Sequence, residues 1–252
     1  MGVVRRTARA SDAARRAAAG VLLMLAGDVV GNRFEIEGHA SAGGMAQIFR
    51  ARDRLTGELV ALKVLQRTGP QETHRFLREA HALAAIRHPG VVGYVAHGTT
   101  EGGDPYLAMQ WLAGETLAER LLREPLTVPE SLALGARVAS TLGALHRRAI
   151  VHRDLKPSNL LLVGGSVEEV TLLDFGVAHV AGAGQELTMP GVMLGTPGYM
   201  APEQARGEVA IDARADVFAL GCVLYRCLTG RPPFVGNDSL SVLVKVLLEE
   251  PP

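Results

Sequence analysis

The hydrophobic pattern changes period along the chain, and that change limits the folds open to it. From residue 33 to 65, short apolar runs are separated by Gly-rich or polar turns, the pattern of antiparallel strands. In the stretch 59–65, strict alternation puts Val60, Leu62 and Val64 on one face and Ala61 with Lys63 on the other. Residues 91–98 and 106–111 predict two more strands. Between them and the first group, Phe76, Leu77, Ala80, Leu83, Ala84 and Arg87 recur at helical spacing, ended by His88-Pro89-Gly90. From Leu117 onward the pattern is mainly helical. Pro129 opens a long helix to about Arg148, and residues 216–229 form a helix stopped by Gly230 and Pro232. That second helix is apolar nearly all round and is expected to be buried. The expected fold class is α+β, with a small antiparallel-sheet lobe carrying one helix and then a larger, mainly helical lobe.

Composition narrows the function classes. The chain has 252 residues, 48% of them hydrophobic, and a formal net charge of zero. It can bury a real core, and nothing in its charge supports binding to nucleic acid or to a membrane surface. No run reaches the ~18 apolar residues of a membrane span. Cys222 and Cys227 fall inside one apolar run, which predicts core thiols in a reducing compartment. Residues 1–30 are compositionally distinct: Arg5, Arg6, Arg9, Arg15 and Arg16 precede the apolar stretch 17–27. A mobile, Ala-rich leader helix is expected there in preference to a secretory signal.

Phosphoryl transfer needs positioning and charge stabilisation more than covalent chemistry. The segment His152-Arg-Asp-Leu-Lys-Pro-Ser-Asn159 carries suitable parts. Asp154 can accept a hydroxyl proton, Lys156 can neutralise a phosphate, and Asn159 can hold a divalent cation. Any surface loop could hold eight polar and turn-forming residues. Here the apolar stretches 149–151 and 160–162 flank them and are expected to pin the loop on strand ends. Fifteen residues past Asn159, the apolar stretch 170–173 ends in Asp174-Phe-Gly176, a carboxylate suited to a hard cation. Alone this is a common Asp-x-Gly turn; its distance from the loop gives it weight. Lys63 lies mid-strand among Val and Leu, where an unpaired ammonium is costly. A strand lysine commonly snorkels outward; the alternative is a carboxylate partner on the next helix, with Glu79 favoured over Glu72.

At these residues the chain resembles the eukaryotic-like protein kinase family, in its bacterial-type Ser/Thr branch. Val60-Ala-Leu-Lys63, the eight-residue loop, Asp174-Phe-Gly176, Ala201-Pro-Glu203 and Asp216 before an apolar helix stand in the family's order, over about residues 33–248. The Gly43-Gly-Met45 triplet, Lys156 and Gly195-Thr196 resemble the Ser/Thr branch. The resemblance implies a two-lobed kinase fold, with an N-lobe at 33–111 and a C-lobe at 112–252, acting with ATP and Mg2+ on protein substrates in the cytoplasm. It implies that Lys63 and Glu79 position phosphates, that Asp154 and Lys156 act at the transferred group, and that Asn159 and Asp174 hold metal. It also implies that Thr196 shapes the substrate pocket and that Asp216 anchors the loop through its backbone. Ile48 and Ala61 would lie above adenine and Leu161 below, with Met109 as gatekeeper and Gln110, Trp111 and Leu112 as hinge. The phosphate loop, Ser41, Ala42, Gly43, Gly44 and Ala46, departs from the family's G-x-G-x-x-G at Ser41 and Ala46 and loses freedom at positive φ. A nucleotide-binding pseudokinase is therefore the runner-up. A small-molecule phosphotransferase is disfavoured by the protein-docking look of residues 196–203. Thr188, the one hydroxyl residue between Gly176 and Gly195, is the candidate activation-loop phosphosite; the resemblance implies that a phosphate there would pair with Arg153 and order the loop.

The family pattern also leads one to expect further helices, and room for a sensor or regulatory domain, beyond Pro252. No Arg follows Arg231 to pair with Glu203, and the helix around residues 240–248 is apolar on nearly every side.

Overall fold

The computed structural model describes residues 24–42, 46–66, 69–174 and 196–251. The chain divides into two compact units. The first takes residues up to Ala80 together with Tyr94–Trp111, and the second takes His81–Gly93 and Leu112–Pro252. The small lobe expected over 33–111 is thus interrupted: the segment His81–Gly93 belongs to the second unit.

The first unit is an antiparallel sheet with strands in the order β1-β2-β3-β4-β6-β5. These are β1 (Val29–Val30), β2 (Phe34–Ala42), β3 (Ala46–Asp53), β4 (Leu59–Leu65), β5 (Tyr94–Thr99) and β6 (Pro105–Gln110). The alternation along β4 appears directly as burial: Val60, Leu62 and Val64 are buried with Phe34, Ile36, Phe49, Ala51, Tyr106 and Ala108 in one core. The rings of Phe34 and Tyr106 meet edge to face at 5.8 Å. Arg33 clamps the buried Asp53 with two bonds, Nε to Oδ1 at 2.9 Å and Nη2 to Oδ2 at 2.6 Å. That pairing holds the Asp53 carboxyl below its ordinary range. Two expectations change here. Val29–Val30 pairs with β2 and Met24 packs on the core, so residues assigned by composition to the leader join the sheet. The strand expected from Val91 starts only at Tyr94, because Val91 instead bridges Leu172 in the second unit.

Helix α1 (Pro70–Ala84) follows β4 and ends before the expected stop. Ala84 and Arg87, assigned to its apolar face, are exposed, and Ile86 is buried in their place. Ala84 is the last helical residue, and the chain leaves helical geometry at residue 85, which takes Arg87 off the face the 3.6 period assigns it.

The second unit contains α2 (Leu117–Arg123), α3 (Val128–His146), α4 (Pro202–Ala205), α5 (Ala213–Thr229) and α6 (Ser239–Leu248). Its small antiparallel sheet runs β7 (Gly114–Thr116), β8 (Leu160–Val163), β9 (Val170–Leu172). Capping boxes start α2 and α3: Thr116 with Glu119, and Thr127 with Glu130. Helix α3 packs on α5, close enough that a Cβ on Gly135 would lie 3.1 Å from Leu224 Cδ2. Gly230, at φ 75°, closes α5 in the left-handed region. Helix α5 is one-sided, not buried all round: Val217 and Leu228 are exposed, whereas Ala219, Cys222, Val223 and Cys227 are buried. Both cysteines are free, and burial pushes their thiols up to about 12. The upstream flank of the polar loop is no strand. Residues 147–149 turn directly out of α3, and only the downstream flank, β8, is extended.

That turn places Ala149 at φ 57°, where an L side chain crowds its own carbonyl. Ala149→Gly is therefore expected to stabilise the fold by up to about 1 kcal/mol, the relief at positive φ outweighing the added freedom of the unfolded chain. A chemical denaturation midpoint unchanged or lowered in this variant would contradict the reading.

Candidate active site

In the first unit, strand register decides which side chains share a face. Ile48 lies opposite Lys63 across β3–β4, and Lys63 lies opposite Leu107 across β4–β6; one step on, Arg50, Ala61 and Met109 align in the same way. Ile48, Ala61, Lys63 and Met109 therefore lie on the sheet face opposite Val60, Leu62 and Val64. Lys63 Nζ donates to Glu79 Oε1 at 2.8 Å, with side-chain exposures of 13% and 9%, low enough that each charge depends on the other. Glu79 rises from α1, two turns after the charged Glu72 of its first turn. Ser41 is exposed near the end of β2, and Ala46 opens β3. Gly43, Gly44 and Met45 lie outside the described residues, as does the side chain of Ala42. Gln110 is exposed, and Arg50 lies over the Trp111 ring at 5.9 Å. Leu112 begins the longer stretch of the second unit.

In the second unit the polar loop runs between α3 and β8. Asp154 Oδ2 accepts from Lys156 Nζ at 2.7 Å and from Asn159 Nδ2 at 3.2 Å. Asn159 Nδ2 also donates to the Asp154 carbonyl at 2.8 Å, which commits its amide nitrogen inward and leaves Oδ1 as the acceptor able to face a cation. Leu173 N donates to Asn159 O at 3.0 Å, so the backbone draws the half-buried Asp174 alongside Asn159. An amide oxygen beside one carboxylate fits Mg2+, which takes one or two carboxylates and completes its shell with phosphate and water. Leu161, on β8, is buried between Thr116 and Thr171 in the register. Thr196 is exposed and begins a 3-10 turn, Pro197–Tyr199. Thr188 and Gly195 lie outside the described residues.

Asp216 holds this loop. Its carboxylate is fully buried and accepts from His152 N at 2.8 Å (Oδ2) and from Arg153 N at 2.8 Å (Oδ1). To present its amide this way, Arg153 adopts φ 66°. Asp154 N donates to His152 Nδ1 at 3.3 Å, so the fully buried imidazole acts as an acceptor at that atom. Two contributors escaped sequence reasoning. His146, at the end of α3, contacts Asp216 Oδ2 through Nε2 at 2.7 Å. Gln204, just after Ala201-Pro-Glu203, donates to Arg153 O at 2.8 Å and accepts from Ala201 N at 3.0 Å. Neither follows a periodic pattern; the one available cue for His146 was its place at a helix end six residues before His152.

Fold and loop together define a protein kinase. A family model described as the protein kinase domain matches residues 34–249, and the chain belongs to that family. It is 41% identical over 230 residues to the DNA damage-responsive serine/threonine-protein kinase RqkA of Deinococcus radiodurans, covering 90% of this chain and 34% of that protein. It is 37% identical over 235 residues to the serine/threonine-protein kinase pkn3 of Myxococcus xanthus, covering 90% and 43%. Identity to the serine/threonine-protein kinase PknB of Mycobacterium tuberculosis is 37% over 228 residues, covering 87% and 36%. The chain thus matches well under half the length of these relatives.

Burial holds the His152 imidazole below the ordinary histidine value, against a smaller upward pull from the charges of Asp216, Asp154 and Asp174. His88 is lowered too, first by burial and then by Arg137, Arg148 and Arg147. Unfolding frees both rings to protonate near pH 6.5, so below about that value the unfolded chain binds more protons and stability falls with pH. The melting temperature is expected to drop between about pH 6.5 and about pH 5, above the range where paired carboxylates such as Asp53 titrate. A flat profile there, followed by circular dichroism, would show that neither ring resists protonation.

Proposed function

We infer that this domain is an Mg-ATP-dependent protein Ser/Thr kinase acting on the cytoplasmic side, where ATP is supplied. The observation that carries the reading is the state of Asp154. One carboxylate oxygen is fixed by Lys156 and Asn159, while Oδ1 has no hydrogen-bond partner among the described residues, and the side chain is 30% exposed. A base oriented by one oxygen and open at the other suits a hydroxyl donor. In the proposed step the Ser or Thr hydroxyl oxygen attacks the γ-phosphorus, the bond to the bridging oxygen of ADP breaks, and the hydroxyl proton passes to Asp154 Oδ1. Lys156, 2.7 Å from the other oxygen, would stabilise charge on the transferring group. Lys63, held by Glu79, would orient the ATP phosphates. Asn159 and Asp174 would hold Mg2+, whose contribution is to neutralise phosphate charge. Ile48, Ala61, Met109, Gln110, Trp111, Leu112 and Leu161 are the proposed adenine contacts, and Thr196 the proposed substrate-pocket residue. Among the described residues no helix is long and apolar enough to cross a membrane.

Transfer of radiolabelled phosphate from ATP to a generic protein substrate tests the reading. Asp154→Asn and Lys63→Met are each expected to cut turnover by roughly 10²-fold or more with the fold retained. Near wild-type turnover in Asp154→Asn would remove the assignment. Nucleotide binding without transfer in the unaltered chain would favour the pseudokinase, for which the loss of glycine at Ser41 and Ala46 speaks.

A further inference from the structure

The end of α3 carries a concentration of positive charge that the phosphoryl-transfer reading leaves unused. Arg137, Arg147 and Arg148 are the cations whose charge bears on the His88 ring. The loop that carries His88 is fixed against the same helix. His88 Nδ1 accepts from Gly90 N at 3.1 Å, and Gly90 O accepts from Leu172 N at 2.9 Å. Gly90 lies so close to α3 that a Cβ there would sit 2.1 Å from Thr141 Oγ1. The loop is therefore clamped between α3 and β9, and a Gly at residue 90 is required by the approach.

A helix C-terminus attracts cations, and that accounts for part of the cluster: Arg148 Nη1 donates to Ala144 O at 3.1 Å. It does not account for Arg137, which lies more than two turns back. Arg137 Nε is buried with no hydrogen-bond partner among the described residues. No carboxylate among the described residues pairs with Arg137, Arg147 or Arg148, and the exposed Glu168 and Glu169, on the turn packed against α3, pair with none of them. By contrast Arg33, Arg50, Arg52, Arg54, Arg120, Arg123 and Arg214 all have acidic partners. In a chain of zero net charge, three guanidiniums without a carboxylate partner, on one helix and its end and all acting on one fixed ring, form a local excess that complements an anion.

We propose that the face formed by Arg137, Arg147, Arg148 and the loop at His88 docks an acidic protein segment. Arg is suited to this because its planar fork donates two parallel N–H bonds to one carboxylate and it stays charged. A nucleic acid fits less well, since its recognition calls for a longer basic stripe and an overall positive domain.

Fluorescence anisotropy of a fluorescein-labelled Glu-Gly repeat peptide with the 252-residue chain tests this. Saturable binding is expected that weakens with added salt and falls about tenfold or more in Arg147→Glu with Arg148→Glu. Both residues are exposed, so melting curves should show the fold intact; Arg137→Gln provides a second variant that adds no like charge. Arg214→Glu, a control at a residue already paired with Asp212, is expected to leave binding unchanged. The His88 ring resonances supply an independent reading: bound carboxylates should raise its titration midpoint. Absence of binding, binding insensitive to the Arg147 and Arg148 changes, or a midpoint unmoved by peptide would overturn the proposal. Tighter capture of a single-stranded oligonucleotide or of anionic vesicles through the same arginines would overturn it in favour of that partner. All these readouts are independent of phosphate transfer.

Discussion

A carboxylate with no exposure to water is costly unless its lone pairs are filled, and Asp216 meets that condition with three donors: His146 Nε2 and the amides of His152 and Arg153. It stands in the first turn of α5, where the helix dipole also favours negative charge. Through these bonds one side chain ties the end of α3 and the polar loop to the start of α5. The left-handed backbone at Arg153 is the cost of aiming an amide at it. Arg153 is then secured on other sides, its carbonyl by Gln204 and its guanidinium by Ile211 O at 3.1 Å. The position of Asp154 follows from this frame, since it is the next residue and donates its own amide to the buried His152 ring.

The first unit solves a related problem on a sheet. β4 has to bury one face and carry a charge on the other. Its alternation gives Val60, Leu62 and Val64 to the core while Lys63 meets Glu79. The pair is nearly dry, so neither member is free to wander, and a shift of register by one residue would bury the ammonium among Phe34, Phe49 and Tyr106. The neighbouring β2–β3 pairing is tied at its far end by the bidentate Arg33–Asp53 clamp.

Helix α3 serves the second unit on several sides. Its middle receives α5 at Gly135, Thr141 seats the loop at Gly90, and its last residue reaches Asp216. Its apolar face is buried through Leu134, Val138, Leu142 and Leu145, while Arg147 and Arg148 at its end are exposed.

What the residues alone determined is local. The period-2 run at β4, the ammonium stranded within it, the order of Asp154, Lys156 and Asn159, and the stop at Gly230 are each written in a few adjacent positions, where sterics and hydrophobic periodicity act directly. Choosing Glu79 over Glu72 needed only the helical period as well. Tertiary structure decided the rest. His146 and Asp216 are 70 residues apart, and Gln204 bonds a carbonyl 51 residues away; such bonds leave no periodic trace in either segment. Val91 reads as strand by composition yet leaves the first sheet to bridge Leu172, and Val217 and Leu228 read as core yet face outward. In each case the outcome depended on which surface was available to cover the side chain, and that is a property of the assembled fold, not of the neighbouring residues.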